Sequence, residues 1–320
     1  MTYIVLRRIY KVERRTKVRL ALYCEVKSNL EAKLKIIFSM TVFGTLAIFV
    51  NNIPLSTGEI ALFRALIASF VIVIYKIITK NKIPLKEIKK DLPLLFVSGA
   101  AMGFNWILLF QAYHYTTVSI ATLSYYFAPV VVMASSPLFF KEKLTVKQII
   151  CFIMSTIGLI MIINIGGVEK SSGNLVGIGY GLGAAILYAT VIILNKFIVN
   201  VTGVDRTLVQ FIASIIVLTP YLLVTSGIHI EGIGTLGMIN LLILGIIHTG
   251  IAYCVYFSSL KDLKGQEAAI LSYIDPLVAI FVSVSILGES IKPVQILGGI
   301  MILGFTLLNE LKGKALGAKS

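Results

Sequence analysis

The sequence predicts an all-α integral membrane protein with ten transmembrane helices arranged as two inverted five-helix repeats. Three observations carry that prediction. Of 320 residues, 57% are hydrophobic and only 14% charged, and the mean hydropathy is +0.92, a composition foreign to soluble domains. The apolar runs are about 15 to 25 residues long, which suits helices rising 1.5 Å per residue through a hydrocarbon core of about 30 Å; barrel strands would alternate over about ten. Finally, a motif occurs twice. Tyr126, Pro129, Val131, Ser136, Glu142, Gln148 and Met154 recur without a gap, 147 positions on, as Tyr273, Pro276, Val278, Ser283, Glu289, Gln295 and Met301. Duplication at this range makes the halves structural copies. With five spans in each, the second copy must face the opposite way across the bilayer, an arrangement that points to transport.

The expected spans are Ile36 to Ile53, Ile60 to Ile78, Leu92 to Ala112, Val118 to Phe140 and Val146 to Ile165 in the first copy. In the second they are Leu175 to Leu194, Thr207 to Ser226, Leu236 to Leu260, Ala268 to Leu287 and Pro293 to Leu311. The polar segment 166–174 connects the copies, residues 1–35 form a basic cytoplasmic arm, and residues 312–320 a short tail. The repeats therefore occupy 36–165 and 175–311. Loops are short throughout, so function is expected among the helices. The arm, dense in Arg and Lys, suits either a helix on the inner leaflet or a cytosolic tail.

Charge gives the orientation. Lys and Arg cluster in the arm, in the loop from Lys76 to Lys90, at Lys141, Lys143 and Lys147, at Lys196 and Arg206, at Lys261 and Lys264, and in the tail. With both termini cytoplasmic, 26 of the 29 fall on the inner side; only Lys170 and Lys292 lie outside, and Arg64 lies within a span. That is the positive-inside pattern of a multi-pass protein of the cytoplasmic membrane. A miscounted span would reverse the bias from that point on. The net charge of +14 then reflects basic loops facing anionic inner-leaflet headgroups rather than nucleic acid. Three scattered cysteines and three histidines offer neither a disulfide framework nor metal spacing. HExxH, GxSxG, a phosphate-binding loop and a TVGYG filter are all lacking. No cofactor, metal or catalytic residue is expected, and the chain is expected to act as a monomer or homodimer.

A few polar residues interrupt the spans. Asp275 lies roughly 12 Å of helical rise beyond Glu267 and roughly 21 Å before Glu289. A carboxylate at such depth costs about 2.5 to 3.5 kcal/mol on insertion scales, which favours a partner, a wet cavity or a proton. Its repeat counterpart is Ala128, so the scaffold does not require it. It suits a substrate contact or proton-coupling site, or a hydrogen bond to a neighbouring helix. Arg64 is the one basic residue within a span. Aligning Ile67-Ala68-Ser69 with Ile212-Ala213-Ser214 places Val209 opposite it. It either snorkels to the outer headgroups or faces a cavity and attracts a carboxylate or phosphate with its planar fork.

Asn105, Trp106 and Gln111, followed by Tyr113 and His114, form the densest polar and aromatic stretch of any span. Trp106 aligns with Tyr253, so both copies carry an aromatic there, closer to mid-span than an interface belt requires. Tyr125-Tyr126 and Tyr273 precede Pro129 and Pro276. Proline inside a helix removes a hydrogen bond and clashes with the preceding turn, so matched kinks are expected at mid-depth, opening a central cavity. The tyrosine hydroxyls serve either packing or substrate. His248 and Asn195 suit interhelical hydrogen bonds at least as well as transport. Gly177, Gly179, Gly181 and Gly183, and Gly298, Gly299 and Gly304, suit close helix packing.

The stretch from Asn105-Trp106 through Tyr125-Tyr126-Phe127-Ala128-Pro129 to Lys141-Glu142-Lys143-Leu144 resembles the drug/metabolite transporter superfamily, specifically its EamA-like ten-helix exporters. Tyr273-Ile274-Asp275-Pro276 and Leu287-Gly288-Glu289 look like the more typical form of that signature. The resemblance runs from about Ile36 to Leu311. It implies two five-helix repeats around a central cavity, alternating access, and export of small metabolites such as amino acids or of toxic compounds. It also implies that the proline helices and the Gly-Glu turn are mainly structural; Lys141-Glu142 departs from that turn. The substrate-binding residues expected are Arg64, Asn105, Trp106, Tyr126, Tyr253, Tyr273 and Asp275, with Asp275 also the proton-coupling candidate. The alternative functions are a flippase for an amphipathic or lipid-linked molecule, with an apolar side opening, and a membrane-embedded enzyme acting on lipid intermediates, which would need clustered His, Asp or Ser at one membrane face.

Overall fold

The computed structural model describes residues 29–140, 143–164, 172–201, 203–259, 263, 268 and 271–310. Among them every regular element is a helix. The helices are α1 (Asn29–Val50), α2 (Thr57–Ile78), α3 (Leu85–Tyr115), α4 in two pieces (Val118–Tyr125 and Ala128–Phe140) and α5 (Val146–Asn164). Then follow α6 (Ser172–Phe197), α7 (Gly203–Thr225), α8 (Gly234–Ser259), α9 (Ile274–Ser285) and α10 (Pro293–Glu310). A helix thus lies at each expected position. Seven are long and apolar enough to cross a membrane, while α5, α9 and α10 are apolar over shorter stretches. Large side chains such as Phe70, Leu138, Ile77 and Val224 stand exposed on the outer surface. Apolar surface of that extent marks contact with lipid or a partner.

Several helix ends differ from the sequence expectation. The first span was expected from Ile36, but the chain is already helical at Asn29, the first described residue, so α1 takes in the last residues of the basic arm; residues 1–28 lie outside the described region. The third was expected from Leu92, yet α3 begins seven residues earlier and carries Pro93 inside it. Pro93 costs this helix one intrahelical bond, to the Lys89 carbonyl, close to its N-terminal end. Asp91 on this extension is buried and accepts two bonds from Asn200, from the backbone N–H (2.8 Å) and the side-chain amide (2.8 Å). Lys76, assigned above to the loop that follows, is buried within α2 and pairs with Asp205 on α7.

The start of α2 is built by a capping box. Ser56 Oγ accepts from the Glu59 N–H (3.3 Å) and Glu59 Oε2 accepts from the Ser56 N–H (2.9 Å). Each satisfies a donor that the first helical turn leaves orphaned. The principal apolar cluster lies where α2, α3, α7 and α8 meet, around Ile60, Phe110, Phe211, Leu218 and Leu244. Glycines allow the backbones together. A Cβ on Gly158 of α5 would sit 2.6 Å from the Gly298 carbonyl oxygen of α10, and one on Gly298 equally close to the Gly158 oxygen. Of the glycines expected to pack, Gly179 and Gly304 face open space.

The kinks fall at equivalent residues. In α4 the helix is interrupted by a turn at Tyr126 and Phe127, and the corresponding turn before α9 falls at Tyr273, the counterpart of Tyr126. α8 departs differently. Residues Leu244–Ile251 form a π-helical segment between α-helical pieces Gly234–Ile243 and Ala252–Ser259.

Candidate functional site

The broken helices border a central cavity of about 400 Å³, lined from α1, α2, α3, α4, α6, α7 and α8 and by the segment 272–279. Six of the seven residues singled out in the sequence line it: Arg64, Trp106, Tyr126, Tyr253, Tyr273 and Asp275. Asn105 does not. Its side-chain amide donates to the Ala184 carbonyl (2.6 Å), so it joins α3 to α6 instead of forming part of the wall. One residue on, at a 100° turn of the helix, Trp106 faces the space that Asn105 turns away from.

Asp275 lies in the first turn of α9, behind Tyr273 at the N-cap. The Tyr126 hydroxyl, at the break in α4, donates to Asp275 Oδ2 (2.6 Å). This bond crosses between the sequence copies and joins the two helix breaks.

Arg64 does not snorkel. It is 2% exposed, and its Nε donates to Thr249 Oγ1 in the π segment of α8 (3.0 Å). The guanidinium carbon stands 4.3 Å from the Trp106 ring centroid and 5.4 Å from that of Phe110. Aromatic faces attract a cation and hold its plane, by about 0.5 to 2 kcal/mol each. From Trp106 the ring contacts continue through Phe211 (5.4 Å) and Tyr253 (5.5 Å) to Phe43 (5.0 Å); Phe211 belongs to the apolar cluster behind, while the other three line the cavity. No ion pair joins Arg64 to Asp275 among the described residues. The cavity therefore presents one base and one acid without mutual neutralisation.

Other wall residues escaped the sequence reading. Gln210 of α7 donates from Nε2 to Ser98 Oγ (2.6 Å) and to Asn195 Oδ1 (2.8 Å), and both amides border the cavity. Asn195 thus combines the expected interhelical bond with a place in the wall. Tyr188 packs against Tyr125 at 5.2 Å. Their signal was a lone polar or phenolic residue in an otherwise apolar span, as for Asn195. His248 bonds Thr45 of α1 (3.0 Å) and packs on Phe49 (4.6 Å), outside the cavity wall. Glu289 accepts from the Val118 N–H (2.8 Å) and from Ser283 Oγ, while Ser119 Oγ donates to Ser283 Oγ (2.7 Å). It caps α4 from the far copy, a structural role. Its counterpart Glu142 lies outside the described residues. No three His, Cys, Asp or Glu among the described residues are placed to hold a metal ion.

Two broken helices, meeting at a polar and aromatic cavity among apolar helices, agree with one more observation. The sequence pattern of the EamA-like transporter family matches residues 32–164 and again residues 175–310. The chain belongs to the EamA-like transporter family. Among its relatives, the uncharacterized transporter YxxF of Bacillus subtilis is 31% identical over 90% of this chain and 93% of that one. An uncharacterized transporter of Archaeoglobus fulgidus is 28% identical over 85% of this chain and 94% of its own length. A protein crystal structure superposes with a TM-score of 0.62 at 14% identity, covering 88% of this chain and 96% of the other, a likeness of fold alone. In this EamA-like transporter the twofold match coincides with the copies read from the Tyr, Pro and Glu motif.

Proposed function

We propose that this protein is a secondary active transporter of the cytoplasmic membrane that exports a small polar or zwitterionic metabolite by alternating access. The observation that carries the reading is the pair of opposite charges lining one cavity, each at a position where the other copy has none: Arg64 against Val209, Asp275 against Ala128. A volume of about 400 Å³ lies within the range of about 300 to 1,000 Å³ usual for small-molecule pockets. Arg64 contacts the anionic group of the cargo, Asp275 its cationic group or the coupling proton, and Trp106, Tyr126, Tyr253 and Tyr273 form the walls.

Transport would follow from rocking of two inverted five-helix repeats about this site. The wall runs from Tyr113, two residues short of the outer end of α3, to Asn195, two residues short of the end of α6, on the side that the basic loops assign to the cytoplasm. Opposite, ties close the bundle: Thr57 to Gln111 (3.2 Å), the His229 N–H to Glu59 (2.6 Å) and the Val118 N–H to Glu289 (2.8 Å). This supports a cytoplasm-facing state, ready to load cargo for export.

The test is a screen of metabolites and toxic analogues for resistance on overexpression, with Asp275→Asn and Arg64→Gln in parallel, followed by uptake of each hit into inverted vesicles. Both variants are expected to lose transport by about 100-fold, on the scale of removing a buried charged contact. Full activity in both toward every hit would remove the site assignment. An imposed pH gradient is expected to drive uptake in the wild type and not in Asp275→Asn; a wild type indifferent to the gradient would remove the coupling.

A further inference from the structure

Thr249, whose repeat counterpart is Met102, joins the widened turn of α8 to Arg64. Its side chain is fully buried and makes two bonds of opposite sense. Oγ1 donates to the Leu244 carbonyl, five residues back along the π segment (2.8 Å), and accepts from Arg64 Nε (3.0 Å). A hydroxyl has one proton. With that proton on Leu244, the oxygen can only accept, and what it meets is the Nε edge of the guanidinium. Trp106 covers a face of the same group. Edge and face are fixed, and among the described residues Nη1 and Nη2 have no hydrogen-bond partner. They form the fork that binds a carboxylate through two parallel bonds.

The helix irregularity sits where this arrangement needs it. Gly245 and Gly250 bring α8 against α2: a Cβ on either would lie 2.6 Å from Ile67 or 2.7 Å from Val71. Between these anchors the π turn holds Thr249 toward α2. Single π turns inside α-helices recur at functional sites.

We propose that Thr249 is the positioning residue of an oxyanion site at Arg64, selective for a carboxylate, and that the π turn of α8 serves to present its hydroxyl there. The proposal rests on the reading of Arg64 as the cargo's anion contact and adds what aims it.

Trp106 is the only tryptophan in the chain, so its fluorescence reports on this pair without a known cargo. In purified full-length protein in chloride-free buffer, iodide is expected to quench Trp106, and propionate, but not propionamide, to relieve the quenching. Arg64→Gln abolishes the iodide effect. Thr249→Val, which keeps the shape and removes the acceptor, weakens propionate about tenfold, the loss of one hydrogen bond to a charged group; Thr249→Ser restores it. Neutral acrylamide is expected to quench all forms alike. Iodide quenching that survives Arg64→Gln overturns the anion reading of Arg64 itself. Quenching lost in Arg64→Gln but with propionate unchanged in Thr249→Val overturns Thr249 alone, as does a parallel loss with acrylamide, which marks a closed cavity. Equal relief by propionate and propionamide overturns the carboxylate.

Discussion

Two helix crossings in this protein are built on the same plan and differ by one residue. α3 packs on α7 through Gly99 and Gly103, where a Cβ would come within 2.3 Å of the Gln210 carbonyl oxygen and 3.1 Å of Leu218. α8 packs on α2 through Gly245 and Gly250, against Ile67 and Val71. Gly103 and Gly250 are repeat counterparts, 147 positions apart, but their partners are four residues back in α3 and five back in α8. Four residues complete about one α turn; five complete a π turn. The extra residue keeps both glycines of α8 on one face only if the helix widens there, and Leu244–Ile251 is π-helical. The copies share their contacts and differ in what stands between them. The widened turn belongs to the crossing that carries Arg64, and the regular one to the crossing with Val209.

That comparison is broken most directly by deletion. Removing Ala101 leaves Gly99 and Gly103 three residues apart, which rotates one against the other by about 100° on an α-helix and forces side chains into a backbone contact. Loss of folded protein is expected. Removing Ile247 instead leaves Gly245 and Gly250 four apart, the spacing α3 already uses, and the folded protein is expected to survive. Size-exclusion profiles and melting curves in detergent separate the outcomes; equal tolerance of both deletions would show that the glycine spacing does not dictate the turn.

The same comparison marks how far the sequence could be read. The helix positions and the two breaks were legible because hydropathy and proline act locally, and the turns fall at Tyr126 and Tyr273. The π turn was written in the spacing of Gly245 and Gly250, but it disappears under a reading that assumes 3.6 residues per turn throughout. Arg64, Trp106 and Asp275 could be found because the other copy lacks the first and last and keeps an aromatic at the second. Asn105 shows the limit. Its neighbour Trp106 faces the cavity, and the side of the helix that each occupies depends on α6, which supplies the Ala184 carbonyl. Gln210 escaped for the converse reason: one amide in an apolar span looks like packing until its partners Ser98 and Asn195 are assembled from other helices.

A second contrast, between α5 and α10, predicts a smaller effect. Gly298→Ala pushes a methyl against the Gly158 carbonyl, and overpacking against backbone costs about 1 to 3 kcal/mol. A lowered melting temperature is expected, with Gly158→Ala similar because the contact is reciprocal; unchanged stability in both would mean that these helices part freely. Smaller again is Tyr126→Phe. It removes the donor to Asp275 while keeping the ring, and a typical buried hydrogen bond contributes about 0.5 to 1.5 kcal/mol. Transport is expected to fall by up to about tenfold, less than in Asp275→Asn. A loss equal to that of Asp275→Asn would mean that Asp275 acts only as the partner of Tyr126, a link between breaks instead of a contact for cargo.

The smallest effect is the one that separates two glycines of a single helix. Gly304 lies six residues beyond Gly298 on α10, and in sequence both look like packing positions. Nothing lies within 4 Å of where its Cβ would be. In a helix interior alanine is favoured over glycine by about 0.5 to 1 kcal/mol, because glycine loses more backbone freedom. Gly304→Ala is therefore expected to raise the melting temperature slightly, and equally at low and high protein concentration. A fall confined to high concentration would mean that a second copy of the chain packs its backbone against Gly304, in the way α5 packs against Gly298.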